Sequence, residues 1–259
     1  MYRGINFKPP FFEIGPKSYI YGKQILQLAK AADAASAKYG VNIIFTTPFP
    51  DIRPVAEETE NIFVFAPHMD PISAGRGVAD ILPESIKAAG AVGVMLNHCE
   101  KPITYSVLRK AIKRADELEL MTIVCADSIA EAKAVALLEP NIIVAEPSEL
   151  IGTGKTSGPE YVHASIAAIK SQNPEILVLQ AAGISSGKDV YDVIYAGAEA
   201  TGSSSGIIRA PDSAAMVDEM IHAVREAWDD REKSMQQIRE TYPCSLDLKA
   251  GINKKTLSL

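Results

Sequence analysis

Short, continuously apolar runs recur along the chain, and most are followed by a stretch with the period of an amphipathic helix. We place strands near residues 2–6, 41–46, 62–66, 93–96, 121–125, 142–145, 177–180 and 200–203. Continuous rather than alternating apolar residues are typical of strands buried on both faces of a parallel sheet. The eighth run contains few β-branched residues and therefore gives the weakest strand signal.

Helical patterns lie between these runs. Residues 23–39 carry an apolar stripe at helical spacing, and residues 105–120 repeat it. Ser128 and Glu131 have the spacing of a capping box, which predicts the start of another helix. Eight strand-then-helix units without a linker favour a single closed (β/α)8 barrel over an open doubly wound sheet.

The length of 259 residues fits one such barrel, which often needs about 250. We expect residues 1–228 to form the barrel and residues 229–259 to form a C-terminal helical extension and tail of the same domain. We also expect residues 9–21 to form a long, aromatic-rich first loop.

Composition excludes several classes of partner. A net charge of −6 without a long basic run argues against nucleic acid. No apolar run approaches the roughly 20 residues of a membrane span, and the first residues lack a signal-peptide pattern. Three scattered cysteines do not fit a disulfide scaffold or a paired-cysteine metal site, so we expect reduced thiols in a cytoplasmic protein.

In a barrel of this type, functional groups collect where the strands end. The first strand would deliver Asn6 and Lys8, the fourth His98 and Glu100, and the sixth Glu146. Small residues follow the last three strands: Gly152, Gly154, Gly183, Ser203, Ser204, Ser205 and Gly206. One lysine, one histidine, two carboxylates and amide-rich loops together indicate a phosphorylated substrate and acid–base chemistry.

Four motifs lie at these strand ends: Asn6-Phe7-Lys8, Asn97-His98-Cys99-Glu100, Ala145-Glu146-Pro147 and Ile151-Gly152-Thr153-Gly154. In this order they resemble the triosephosphate isomerases, most closely the compact archaeal-type branch, and the match extends to about Trp228. The resemblance implies a TIM barrel that interconverts dihydroxyacetone phosphate and D-glyceraldehyde 3-phosphate in glycolysis or gluconeogenesis. It further implies no cofactor or metal, and a homodimer or homotetramer.

The resemblance also implies roles for individual residues. Glu146 would be the base, His98 would polarise the carbonyl, and Lys8 would supply positive charge to the enediolate and the phosphate. Asn6 would position a substrate oxygen, and Glu100 would orient Lys8 or its neighbours. The phosphate would be held by backbone amides near Ile151, Gly183, Ser204 and Ser205.

Departures from the family pattern leave alternatives open. Cys99 stands where the family usually has serine, and residues 75–79 lack the pattern of the archaeal third loop. One alternative is an isomerase of a related small sugar phosphate such as a tetrulose phosphate. The others are a Schiff-base aldolase using Lys8 or Lys155 and a non-catalytic barrel that binds a sugar phosphate. His68 also follows a strand, where it would shape the third loop or line the pocket.

Overall fold

The computed structural model describes residues 1–150, 153, 158–181 and 183–241. In this part of the chain, eight parallel strands follow one another around a closed barrel, and the last pairs with the first. The strands are β1 (Phe11–Ile14), β2 (Asn42–Thr46), β3 (Ile62–Ala66), β4 (Gly93–Leu96), β5 (Met121–Ala126), β6 (Ile142–Ala145), β7 (Leu177–Gln180) and β8 (Ala200–Ser203). The predicted barrel is confirmed, and β2 to β8 lie within one residue of their predicted bounds.

Helices cover the outside of the barrel. They are α1 (Lys23–Tyr39), α2 (Ile52–Glu58), α3 (Pro83–Ala88), α4 (Tyr105–Glu117), α5 (Ile129–Ala136), α6 (Pro159–Lys170), α7 (Gly187–Tyr195), α8 (Ser205–Ile208) and α9 (Ser213–Thr241). The helix α5 begins as its sequence predicts, because the Ser128 side chain accepts a hydrogen bond from the Glu131 backbone N–H.

The first strand is the clear error of the sequence-based prediction. Residues 2–6 form no strand, and β1 begins at Phe11, inside the segment expected to be a loop. Instead, the Phe7 ring packs edge-on against Phe11 and Phe63, with both ring centroids 4.9 Å away. The Asn42 side chain, at the start of β2, donates a hydrogen bond of 2.8 Å to the Lys8 carbonyl oxygen. Residues 2–8 therefore lie across the amino ends of the strands.

The core has two layers, because side chains of each strand alternate between the inside of the barrel and the helices. The inner layer contains Phe11, Ile44, Phe65, Met95, Met121, Ile123, Ile142, Val144, Leu179 and Ala200. Phe12 belongs to the outer layer and, like Phe11, is fully buried. Because β1 ends at Ile14 and α1 begins at Lys23, the first loop consists of residues 15–22 and not of residues 9–21.

The helix α9 runs through Trp228 without interruption and packs against α7 and α1. The Arg231 guanidinium lies 4.2 Å from the centre of the Trp228 ring and donates to the carbonyl oxygens of Ile194 and Ala198, at 2.7 and 2.8 Å. The predicted tail lies mostly in residues 242–259, outside the described residues, so the division at residue 228 stays a prediction. None of the helices in the described residues is long and apolar enough to cross a membrane.

Candidate active site

A cavity of about 1220 Å³ opens at the carboxyl ends of the strands. Its floor is the top of the inner layer of the barrel: Glu13, Thr46, Met95, Cys125, Val144, Leu179 and Gly202. Its walls include Lys17, His98, Glu100 and Glu146, which arrive from three different strand ends. The barrel therefore brings together a cation, an imidazole and carboxylates from segments that are far apart in the sequence.

The lysine that follows the first strand and lines this cavity is Lys17 and not Lys8. Asn6 and Lys8 are exposed and precede β1, so they lie toward the opposite end of the barrel, and their expected place in the site is wrong. Gly15 and Lys17, in the loop that follows β1, line the cavity instead. Lys17 has a φ of 50°, which costs a residue with a side chain on the order of 1 kcal/mol. Such strain is typical of functional positions.

Lys17 forms an ion pair with Glu100, with its Nζ atom 2.9 Å from the carboxylate oxygen. The resemblance implied that Glu100 would orient Lys8 or its neighbours, and in the structure Glu100 instead pairs with Lys17. Burial lowers the pKa of Lys17, but the hydrogen bond and charge of Glu100 more than offset this, and the net pKa is raised. Lys17 is a permanent positive charge at neutral pH.

His98 is held in one orientation by its own loop. The backbone N–H of Glu100 donates to Nδ1 of His98 at 3.0 Å, and a neutral ring then carries its proton on Nε2. Burial lowers the pKa of His98, and the nearby charge of Lys17 lowers it further. His98 is therefore neutral above its lowered pKa, with an N–H donor available at Nε2.

Asn97 shapes the turn that delivers His98. It has a φ of 57°, a left-handed conformation that asparagine tolerates better than most residues. Its side chain donates to the carbonyl oxygen of Cys125 at 3.1 Å and accepts from the backbone N–H of Ile103 at 3.2 Å. These bonds tie the end of β4 to β5 and so fix the position of the imidazole.

Glu146 follows β6 directly, and its backbone N–H donates to the carbonyl oxygen of Ala126 at 3.1 Å. The side chain is half-buried and lines the same cavity as Lys17 and His98. Thr153 also lines the cavity, whereas the predicted phosphate ligand Ile151 lies outside the described residues.

Small residues at the ends of β7 and β8 let the backbone approach the cavity closely. Gly183 has a φ of 73°, and Ser204, Ser205 and Gly206 lie beside it on the rim. A Cβ atom on Gly206 would lie 2.4 Å from the carbonyl oxygen of Ile184, so this contact requires glycine. The predicted residues Gly183, Ser204 and Ser205 are thus brought to one side of the cavity.

Several cavity residues were not predicted from the sequence, among them Glu13, Lys17 and Arg209. The sequence did contain a signal for Lys17, because Gly15-Pro16 follows Phe11–Ile14 directly. A strand at this position leaves a first loop of residues 15–22 before α1, whereas a strand at residues 2–6 leaves a loop of residues 7–22. Short loops are the rule between a strand and the following helix. Arg209 stands on the rim, 5.6 Å from the centre of the Tyr19 ring.

His68 fits both of its expected positions. It is buried at the wall of the cavity, and its Nε2 atom lies 3.3 Å from a carboxylate oxygen of Asp70. The other carboxylate oxygen of Asp70 accepts from the backbone N–H of Ile81 at 2.7 Å, which shapes the third loop. Among the described residues, no cluster of three or more His, Cys, Asp or Glu side chains is arranged to hold a metal ion.

Comparison with known proteins places these features in a family. A family model described as "Triosephosphate isomerase" matches residues 14–198. The triosephosphate isomerase of Methanothermus fervidus is 39% identical over 203 residues, 77% of this chain and 91% of that protein. The one from Sulfolobus acidocaldarius is 35% identical over 229 residues, 86% of this chain and 99% of that protein. The crystal structure of the Bartonella henselae triosephosphate isomerase shares the fold, with a TM-score of 0.66 at 15% identity over 85% of this chain and 100% of that chain.

Proposed function

Because the chain belongs to the triosephosphate isomerase family, we propose that it interconverts dihydroxyacetone phosphate and D-glyceraldehyde 3-phosphate in the cavity above the barrel. The observation that carries the proposal is that Lys17, His98 and Glu146 line one cavity. These residues supply the three functions that an aldose–ketose isomerisation requires: a base, a neutral donor and a positive charge.

The reaction moves a proton between two adjacent carbon atoms through an enediolate. The Glu146 carboxylate removes the proton from one carbon and returns it to the other. Negative charge develops on the substrate oxygens, where the Nε2–H of His98 donates a hydrogen bond and the Lys17 ammonium group supplies charge. The hydrogen bond from Glu100 to Nδ1 supports this role, because it fixes the tautomer that donates from Nε2.

The phosphate would lie against the backbone near Gly183, Ser204 and Ser205. Close approach of the backbone at Gly206, together with the positive charge of Arg209 on the same rim, supports this placement. Backbone N–H groups in such loops bind anions well. A contribution from the amide of Ile151 stays a prediction.

One observation favours the related reaction on a four-carbon sugar phosphate. Asn6 was expected to position a substrate oxygen, but it lies outside the cavity, and the loop after β1 has Gly15, against which the Glu13 carboxyl group lies. That carboxyl group offers a hydrogen-bond partner to the additional hydroxyl group of a substrate longer by one carbon. We therefore keep a tetrulose phosphate isomerase as the second candidate.

The other two alternatives have less support. A Schiff-base aldolase needs an unprotonated amine, but Lys17 is paired with Glu100 and its pKa is raised. Lys8 lies outside the cavity, and Lys155 lies outside the described residues. A non-catalytic binding barrel would not need a base such as Glu146 beside an oriented imidazole. We also infer that the protein is a homodimer or homotetramer. A cytoplasmic location is supported by the free thiols of Cys99 and Cys125.

The test is a coupled isomerase assay on the triose phosphates and on tetrulose phosphates, with Lys17→Met and the matched variant Lys8→Met. Two unit charges about 4 Å apart near a protein surface interact by about 4 kcal/mol, so Lys17→Met should lower kcat/KM by roughly 100- to 1000-fold. Lys8→Met should stay within twofold of the wild type, since Lys8 is exposed outside the cavity. The proposal fails if the wild type isomerises neither group of substrates, and the assignment of Lys17 fails if both variants behave alike.

A further inference from the structure

We propose that Glu13 contacts the substrate: from the floor of the cavity, its carboxylic acid group donates a hydrogen bond to the sugar oxygen at the end opposite the phosphate. This inference rests on the proposed function, because it assumes a sugar phosphate in the cavity. It adds a second carboxyl group to the site, with a role different from that of Glu146.

Glu13 is placed at the floor by the alternation of β1. Phe11 points into the barrel, and Glu13, two residues later, points to the same side and lines the cavity. In register, Glu13 stands beside Ile44 of β2 and Gly202 of β8. Its side chain therefore occupies the uppermost layer inside the barrel, directly below the space where the substrate would lie.

The surroundings of Glu13 offer it few polar partners. Its Oε1 atom and the hydroxyl oxygen of Thr46 are buried, and neither has a hydrogen-bond partner within the described part of the chain. The rest of the floor is formed largely by apolar side chains, such as those of Met95 and Leu179. A buried polar atom without a partner is costly, and a substrate oxygen can supply that partner.

Two glycines leave the space that the carboxyl group fills. A Cβ atom on Gly202 would lie 2.8 Å from the backbone oxygen of Glu13 and 3.2 Å from its Oε2 atom. A Cβ atom on Gly15 would lie 3.0 Å from Oε1. The glutamate is thus fitted closely into the floor, and side chains at the two neighbouring positions would push it aside.

The chemistry of the proposed contact needs a protonated carboxyl group. Burial raises the pKa of Glu13 to about 7, and the negative charge of Glu146 adds to this. The nearby Thr46 hydroxyl, although not at hydrogen-bonding geometry, and the Lys17 ammonium group oppose the rise. Cys125, also on the floor, has its pKa raised well above the usual range by burial and stays neutral. A carboxylate would repel the enediolate, whereas the acid donates a hydrogen bond to it.

The experiment compares Glu13→Gln, Glu13→Met and the surface control Glu60→Gln, measuring kcat and KM on triose and tetrulose phosphates from pH 5.5 to 9. An amide still donates a hydrogen bond, so Glu13→Gln should retain most of the activity at pH 6. Glu13→Met should lower kcat/KM by roughly ten- to hundredfold at that pH, the range expected for one buried hydrogen bond. Glu60→Gln changes an exposed glutamate outside the cavity and should match the wild type.

The pH profile separates contact with the substrate from a structural role. In the wild type and Glu60→Gln, kcat/KM should fall above about pH 7 as Glu13 ionises, and this fall should be absent in Glu13→Gln. The inference is overturned if the fall persists in Glu13→Gln, or if Glu13→Met equals the wild type.

If the wild type isomerises nothing, the proposed function fails. The role of Glu13 is then tested by measuring the binding of D-glyceraldehyde 3-phosphate by calorimetry. Affinity that weakens above pH 7 in the wild type but not in Glu13→Gln supports the inference, and identical profiles overturn it.

Discussion

Replacing Glu13 with glutamine should change how the free energy of unfolding depends on pH. Burial raises the pKa of Glu13 from its ordinary value of 4.5 to about 7, so the folded chain holds this proton more tightly than the unfolded chain. The resulting stabilisation is complete below pH 4.5 and is lost as the pH rises through 7. Each pKa unit is worth about 1.4 kcal/mol, so the loss amounts to about 3 kcal/mol. Glutamine does not ionise, so the free energy of unfolding of Glu13→Gln does not show this loss.

The measurement is urea unfolding followed by circular dichroism at several values between pH 4.5 and 8.5. The free energy of unfolding of Glu13→Gln, relative to that of the wild type, should become more favourable by about 3 kcal/mol across this range, with unchanged m-values. Glu60→Gln, at an exposed glutamate, is the control and should show no such trend. A difference between Glu13→Gln and the wild type that varies by less than about 0.5 kcal/mol would refute the argument, because the carboxyl group would then titrate alike in both states.

Three further substitutions test other parts of the structure. His98→Gln should lower kcat at least about 100-fold on the accepted substrate with little change in Tm, and a loss smaller than about tenfold would speak against the imidazole as the donor. Gly206→Ala places a Cβ atom 2.4 Å from the carbonyl oxygen of Ile184, so the rim must shift and KM should rise by about tenfold, whereas an unchanged KM would separate this loop from phosphate binding. Arg231→Met leaves two carbonyl oxygens without their donor and should lower the free energy of unfolding by about 2 kcal/mol in urea; equal stability would show that α9 does not depend on these bonds.

The sequence revealed the barrel because most strands are buried on both faces and carry no charge. β2 to β7 show this pattern directly. The short strand β8, rich in small residues, gave the weakest signal because it contains few β-branched residues. His98 and Glu146 were then located correctly at their strand ends, since their position follows from the end of an apolar run.

The first strand was missed for a physical reason. Glu13 interrupts the apolar run of β1, because at this position the inside of the barrel is the floor of a cavity rather than a closed core. A periodicity argument treats a charge in such a run as a sign of a loop. Because the first strand was placed at residues 2–6, Asn6 and Lys8 were assigned to the predicted site and Lys17 was not.

Contacts between distant segments were beyond any sequence pattern. The ion pair between Lys17 and Glu100 joins residues on two loops that only the closed barrel brings together. The approach of Gly206 to the carbonyl oxygen of Ile184 likewise depends on how β7 and β8 are paired.

The close fit between Glu13 and Gly202 has a consequence for how this site can diverge. A mutation that adds a side chain at residue 202 meets the backbone oxygen of residue 13 at 2.8 Å as well as its carboxyl group, so it requires a shift of β1 that would also displace the glutamate. Loss of the glutamate, in turn, removes part of the selection that keeps residue 202 a glycine. Sequences that keep the glutamate should therefore also keep the glycine, 189 positions away in the chain, and should share the acidic cavity floor.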